Sequence, residues 1–138
     1  MRRISYAVSL LLLSGILLCG CQSKAQEDMD TKIRDLEFTV ATEDNIPQEL
    51  KQNLETAKAQ EFKTTYMDKN YLYICAGYGE QKSGGYSIRV KELYLTKNAI
   101  YIDTELCGPT PEEASRQVSS YPYIVIKTEL IDRNVVFE

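Results

Sequence analysis

From residue 62 onward, short runs of alternating apolar and polar residues follow one another, separated by turn residues. This period-2 alternation is typical of β-strands with one buried face. The predicted strands cover residues 33–40, 62–66, 71–76, 86–95, 99–106, 121–131 and 135–137. Within 86–95 the apolar phase shifts by one position after Lys91 and Glu92, which predicts a β-bulge. In the first strand, Leu36, Phe38 and Val40 are expected to share one face.

A single helix is predicted between the first two strands. Asp44 and Asn45 supply capping side chains, and Pro47 suits the first turn, where its missing N–H has no consequence. Apolar residues then recur at helical spacing over about twelve residues. These residues are Ile46, Leu50, Leu54 and Ala57. The helix is therefore expected to be amphipathic and to pack on a sheet.

These elements predict a mainly β fold with one N-terminal amphipathic helix, of the α+β class. An antiparallel β-sandwich or a half-barrel would accommodate such a set of strands. By alternation, the expected core residues are Ile88, Val90, Ile100, Ile102, Ile124 and Ile126. The length of 138 residues supports one domain, which we place at residues 33–138.

Residues 1–20 have the features of a lipoprotein signal peptide. Two arginines precede an uncharged apolar run, residues 4–18, that is shorter than the ~20 residues of a membrane-spanning helix. Leu18-Cys19-Gly20-Cys21 then matches a bacterial lipobox, in which a small residue precedes the modified cysteine. Cleavage after Gly20 would leave Cys21 at the N-terminus with a diacylglycerol on its thiol. An ordinary signal peptide or a buried helix is the alternative.

The sequence therefore predicts a protein anchored by lipid to the extracytoplasmic face of the cell membrane. Two acyl chains hold a protein stably where one is marginal. Residues 21–32 are polar and charged and are expected to form a flexible tether between the lipid and the domain. The covalent lipid is the only cofactor expected.

Composition excludes several functions. The chain has no His, which removes His-dependent triads and His-bearing zinc sites. Its 20 acidic residues outnumber 16 basic ones, so nucleic acid is not an expected partner. Acidic residues that alternate along a strand, such as Asp103 and Glu105, are typical of a solvated face. We predict no catalytic residue and no metal site.

Two cysteines, Cys75 and Cys107, remain in the predicted domain. An exported chain permits a disulfide, and these two residues are the candidates for it. Cys75 also lies in an apolar run, so a small buried residue is the alternative interpretation.

A glycine-rich segment with a recognisable motif follows the strand at 71–76. Glu80 and Ser83 precede Gly84-Gly85-Tyr86-Ser87-Ile88, and Ser120-Tyr121-Pro122-Tyr123 begins a later strand. This ordered set resembles the PrcB C-terminal family over about residues 33–130. Gln81-Lys82-Ser83 departs from the Pro-Thr that usually leads into the family's loop. The resemblance implies a non-catalytic, lipid-anchored accessory protein of a surface protease complex.

The same segment is the candidate contact surface for a protein partner such as an exported protease. Its residues are Tyr78, Glu80, Lys82, Ser83, Gly84, Gly85 and Tyr86. Tyr78 and Lys82, at its edges, are expected to be exposed, while Gly84 and Gly85 could instead serve only as a hairpin connection. The loop also loosely resembles that of chagasin-type inhibitors, which are immunoglobulin-like sandwiches. A free-standing protease inhibitor is therefore an alternative function, and a hydrolase with an unrecognised site is a third.

Overall fold

The structure of the protein is a computed structural model that describes residues 29–138. The predicted signal peptide, the predicted lipidation site Cys21 and residues 22–28 lie outside the described residues. The described strands are β1 Arg34–Asp35, β2 Phe38–Val40, β3 Glu61–Met67, β4 Tyr71–Tyr78, β5 Ser87–Leu95, β6 Ala99–Cys107, β7 Tyr123–Glu129 and β8 Asn134–Phe137. The helices are α1 Gln48–Ala57 and the short α2 Pro111–Ala114, and a 3-10 turn covers Glu43–Asn45.

The strands form two four-stranded sheets. Sheet 1 has the order β1-β5-β6-β8, and sheet 2 has the order β2-β7-β4-β3. Neighbouring strands are antiparallel, except that β8 runs parallel to β6. Each sheet ends in two edge strands and the two sheets stack through a shared core. The predicted mainly β fold with one amphipathic helix is confirmed, in the form of a sandwich rather than a half-barrel.

The main core lies between the two sheets. Its buried members are Leu36, Leu72, Ile74, Ala76, Leu93, Ile100, Ile102, Ile124 and Ile126. Ile88 and Val90 are partly buried and pack against this cluster. All six core residues predicted from alternation therefore belong to it. Alternation succeeds here because successive side chains of a strand point to opposite faces.

Helix α1 covers the opposite face of sheet 2. Leu50 and Leu54 are almost fully buried in a second cluster with Tyr73, Cys75 and Val125. Pro47 occupies the N-cap position, so the helix begins one residue after it. Because β4 supplies side chains to both clusters, residues 72–77 are buried without interruption. The predicted amphipathic helix on a sheet is confirmed. The prediction that Asp44 and Asn45 cap it was wrong, because both lie in the preceding 3-10 turn and no side chain caps α1.

The predicted strand at 33–40 is instead two short strands in different sheets. β1 pairs with β5 in sheet 1, and β2 pairs with β7 in sheet 2. Leu36 lies between them and is buried, and its N–H donates to the carbonyl of Leu93 at 2.9 Å. Phe38 and Val40 are exposed, because β2 is an edge strand. The prediction of one continuous strand at 33–40 was wrong, and of these three residues only Leu36 is buried.

The predicted bulge and the β3–β4 turn are both present. The β5–β6 register shifts between Val90 and Glu92. In the turn, the Asp68 carboxylate accepts hydrogen bonds from the backbone N–H groups of Asn70 and Tyr71 at 2.7 and 2.8 Å. These two donors lower the pKa of Asp68 below its usual value because they stabilise the charged form.

The sandwich has two distinct ends. The end that carries residues 79–86 and 108–122 is called the loop end. The opposite end carries the β3–β4 turn, the β5–β6 turn and residues 130–133, and is called the tether end. The chain enters β1 at the tether end, where the N–H of Ile33 donates to the carbonyl of Leu95 at 2.7 Å. Strands of eight to nine residues separate the two ends by roughly 25–30 Å.

Candidate protein-binding site

Residues 79–86, called the glycine loop, are tied to residues 108–122, called the return segment. Gln81 and Ser120 exchange two backbone hydrogen bonds of 2.8 and 3.0 Å. The hydroxyl of Ser119 donates to the Glu80 carboxylate at 2.8 Å, and that of Ser120 donates to the carbonyl of Ser83 at 2.6 Å. The structure thus brings together two segments that are almost forty residues apart.

The return segment has local structure of its own. The Thr110 side chain accepts a hydrogen bond from the N–H of Glu113 at 3.3 Å and caps the single turn of α2. Gln117 has a positive φ of 47°, in the left-handed region that residues other than glycine rarely adopt. The segment then returns through Ser119 and Ser120 to the glycine loop. Its course is therefore defined by hydrogen bonds at both ends.

The two adjacent glycines of the loop have different roles. Gly85 has a φ of +82°, and a Cβ placed there would lie 1.7 Å from an oxygen of the Glu113 side chain. Gly85 thus provides both a left-handed conformation and the space in which the return segment approaches. A Cβ at Gly84 would have no neighbour within 4 Å. Of the two glycines, it is therefore Gly85 that has the structural role in the connection that the sequence suggested for both.

The predicted contact residues differ in their exposure. Glu80, Lys82 and Gly85 are exposed, and Gly84 and Tyr86 are half-buried. Ser83 is buried, with only 4% of its surface accessible. Only some of the predicted contact residues are therefore exposed. Lys82 is one of them, as expected.

Tyr78 is not exposed at the edge of the loop, contrary to expectation. It is the last residue of β4 and is half-buried, and its hydroxyl lies 2.7 Å from the Thr104 hydroxyl of β6. Because it follows Leu72, Ile74 and Ala76 at two-residue spacing, its side chain points toward sheet 1. Its N–H also donates to the carbonyl of Pro122 at 3.0 Å. Tyr78 therefore joins the two sheets at the loop end.

Two exposed apolar residues of the return segment were not among the predicted contacts. Val118 has 68% of its surface exposed and Tyr121 has 39%. They flank Ser119 and Ser120, whose hydrogen bonds to the glycine loop fix the backbone between them. Val118 is the only large aliphatic residue in the polar run 112–120, and that isolation was a usable sequence signal. Tyr121 was assigned to a strand that in fact begins at Tyr123.

The proposed disulfide between Cys75 and Cys107 is not formed, and both thiols are free. Cys75 faces α1 on the outer side of sheet 2, whereas alternation from Ile100 and Ile102 places Cys107 on the outer side of sheet 1. A disulfide needs Cα atoms within roughly 7 Å, and two stacked sheets lie about 10 Å apart. Burial raises the pKa of the Cys75 thiol to about 12. The alternative interpretation of Cys75 as a small buried residue is the correct one.

A group in residues 29–138 that could bind a metal ion or act as a nucleophile would indicate a function other than protein binding. No group of three His, Cys, Asp or Glu side chains in this range is placed to hold a metal ion. Ser83 is buried, and its hydroxyl donates to the neighbouring carbonyl of Gly84 at 3.2 Å. The same range has no helix that is long and apolar enough to cross a membrane. The observed contacts at the loop end are the hydrogen bonds that join the glycine loop to the return segment.

Comparison with known proteins connects this architecture to a family. The family model described as PrcB C-terminal matches residues 72–129, from the start of β4 to the end of β7. Over these residues the match confirms the resemblance to the PrcB C-terminal family that was drawn from the motif. The match includes the glycine loop and the return segment but not α1, so it is shorter than the expected 33–130. No curated protein and no solved structure was similar enough to count as a match.

Proposed function

We propose that this protein is a lipid-anchored extracytoplasmic accessory protein that presents its loop end to a protein partner in a protease complex. The family match supports the accessory role related to a protease complex. The lipobox at Cys21 supports the anchor. The contact surface comprises the exposed side of the glycine loop and of the return segment, with Lys82, Val118 and Tyr121 as its principal side chains.

One observation carries this proposal: apolar side chains are exposed on a backbone that is fixed from beneath. Val118 and Tyr121 border the two serines that bond to the glycine loop. A fixed backbone loses little conformational entropy when a partner binds, so more of the contact energy remains as affinity. Tyr adds a large contact area and a hydroxyl at low entropic cost. The entry of the chain at the tether end leaves the loop end free to face away from the membrane.

The lipid anchor is tested by replacing the residue that would carry it. In Cys21→Ser the thiol that receives the diacylglycerol is absent, so we expect no incorporation of labelled fatty acid and no processing after Gly20. Metabolic labelling followed by mass spectrometry of the N-terminus measures both. Cys107→Ser is the control, because it removes a thiol that lies inside the domain. Continued labelling of Cys21→Ser would disprove the anchor.

The contact surface is tested with two pairs of variants matched in residue type. Tyr121→Ala is paired with Tyr71→Ala at the tether end, because the two tyrosines are 39% and 40% exposed. Val118→Ala is likewise paired with Val40→Ala on the β2 edge. We expect loss of Tyr121 to weaken partner capture by about 2 kcal/mol, roughly thirtyfold in affinity, as for a central aromatic anchor. The Tyr71 and Val40 variants should capture the partner like the unchanged protein.

The measurement is crosslinking and detergent pull-down from native membranes, with peptidase activity assayed in the captured fraction. An accessory subunit should capture an active protease, whereas a free-standing inhibitor should capture a silenced one. Thermal melts of all four variants show whether any loss of capture arises from unfolding. Equal capture by all four variants would exclude the return segment from the interface.

A further inference from the structure

Exposed apolar side chains are concentrated at the tether end, away from the proposed contact surface. Of the ten large hydrophobic residues exposed within 29–138, five lie at this end. They are Ile33, Phe38, Met67, Tyr71 and Leu130. We call them the tether-end patch. Single exposed apolar residues need no explanation, but a group at one end of a sandwich indicates a surface that is covered in use.

The strand register places four of these residues along the end of sheet 2. Phe38 is opposite Thr128 in β7, Thr128 is opposite Leu72 in β4, and Leu72 is opposite Met67 in β3. Tyr71 is the next residue toward the end of β4, and Leu130 directly follows β7. The patch therefore has members on both edge strands of sheet 2, with the buried Leu72 and Thr128 between Phe38 and Met67.

An open groove of about 1030 Å³ lies within the same region. It lies on the side where the chain crosses from sheet 1 to sheet 2, and the rings of Phe38 and Tyr71 contribute to its lining. The charged members of the lining are Arg34, Asp35, Glu37, Lys127 and Glu129. The Lys127 ammonium lies 3.8 Å from the centroid of the Tyr71 ring. An amphipathic aromatic ring with a cation over its face suits the boundary between polar headgroups and acyl chains.

The direction of the N-terminal segment identifies what covers this end. The Tyr101 hydroxyl donates to the Asp30 carboxylate at 3.3 Å, and the Lys32 ammonium lies 5.4 Å from the Tyr94 ring centroid. Tyr94 and Tyr101 stack on the outer face of sheet 1, next to the β5–β6 turn. The end of the predicted tether is thus held on the domain beside the tether end. Residues 21–28, even when fully extended, can span at most about 28 Å.

From these observations we propose that the tether-end patch rests on the lipid surface into which the Cys21 anchor inserts. This inference depends on the lipid anchor of the proposed function, but it adds that the domain has a fixed orientation on the membrane. Charge would contribute little to the contact, because basic and acidic residues are mixed at this end. In the groove these are Arg34 and Lys127 beside Asp35, Glu37 and Glu129, and in the turns they are Lys69 and Arg133 beside Asp68 and Asp132. Apolar contact, held close by the anchor, would set the orientation, and the loop end would point away from the membrane.

The test measures the depth of single positions in the membrane. The lipidated full chain, with Cys107→Ser, receives one new cysteine for an environment-sensitive fluorophore: Met67→Cys or Leu130→Cys at the tether end, or Val118→Cys at the loop end. All three positions are exposed, so the labels should leave the fold intact. Cys75 is buried and does not compete for the label. The proteins are reconstituted into vesicles of phosphatidylethanolamine and phosphatidylglycerol, with or without nitroxide-labelled lipid.

We expect about a twofold loss of fluorescence on addition of nitroxide lipid at positions 67 and 130 and none at 118, because interfacial apolar residues enter the headgroup boundary by roughly 5–10 Å. Equal quenching at all three positions, or none at any, in protein that sediments with the vesicles would overturn the inference while leaving the anchor intact. Protein that does not sediment with vesicles would instead refute the anchor and, with it, this orientation.

Discussion

Replacing Ile126 with Ala should lower the free energy of unfolding by about 2–5 kcal/mol, the usual result of removing buried methyl and methylene groups. Ile126 is fully buried in the core between the sheets, in the central strand β7. It pairs with Ile74 of β4 on one side and with Val40 of β2 on the other. Because these neighbours belong to hydrogen-bonded strands, they can move only slightly to fill the cavity.

Val40→Ala is the matched control, because it lies at the same level of the same sheet. Val40 is 58% exposed on the edge strand, so its truncation should change stability by no more than about 0.5 kcal/mol. Urea denaturation of the two variants, followed by circular dichroism, gives the two free energies. If Val40→Ala lowered the free energy of unfolding as much as Ile126→Ala does, Val40 would not be exposed on an edge strand as described.

Local periodicity explains why so much of the fold was predictable. The strands at 62–66, 71–76, 86–95 and 99–106, and the phase shift at Lys91, follow from the two faces of each strand alone. The helix follows from apolar spacings of three and four residues, although the expected capping side chains are not used at its start. Such signals depend only on residues that are close in sequence, so they can be interpreted without knowing which strands pair.

The errors arose where pairing with distant residues decides the outcome. Alternation at Leu36, Phe38 and Val40 is the same for one strand as for two strands in different sheets. Only the pairing with β5 and β7 shows that the chain crosses between the sheets and that β2 is an edge. The parallel pairing of β8 with β6 likewise had no local signal.

The candidate site was predicted only in part, because it also depends on contacts between residues that are distant in sequence. The glycine-rich motif indicated the right segment, but its attachment to the return segment rests on bonds such as Ser119 to Glu80 that no spacing indicates. Tyr78 was placed in the loop because the strand was expected to end at Ala76, and two further strand residues turn its ring inward. The exposure of Tyr121 became visible only with the return segment in place, whereas the isolation of Val118 among polar residues was already a signal in the sequence.

The two cysteines differ in reactivity because they lie in different parts of the sandwich. Cys75 is fully buried against α1, and burial raises the pKa of its thiol to about 12 because the thiolate would lose its hydration. At pH 8 only about one molecule in ten thousand would carry the reactive thiolate at Cys75. Cys107, at the end of β6, is only half-buried. The same chain therefore contains one thiol that is shielded by the fold and one that reagents can reach.

We expect iodoacetamide at pH 8 to modify Cys107 in the folded protein while Cys75 reacts at least about a thousandfold more slowly than in the denatured chain. Peptide-resolved mass spectrometry separates the two sites, and a urea-denatured sample, in which both should react readily, is the control. Non-reduced digests should contain no peptide that links Cys75 to Cys107, because the two residues lie on opposite outer faces of the sandwich. Rapid modification of Cys75 in the folded protein would show that α1 does not cover sheet 2 as described, and a linked peptide would contradict the placement of the two faces.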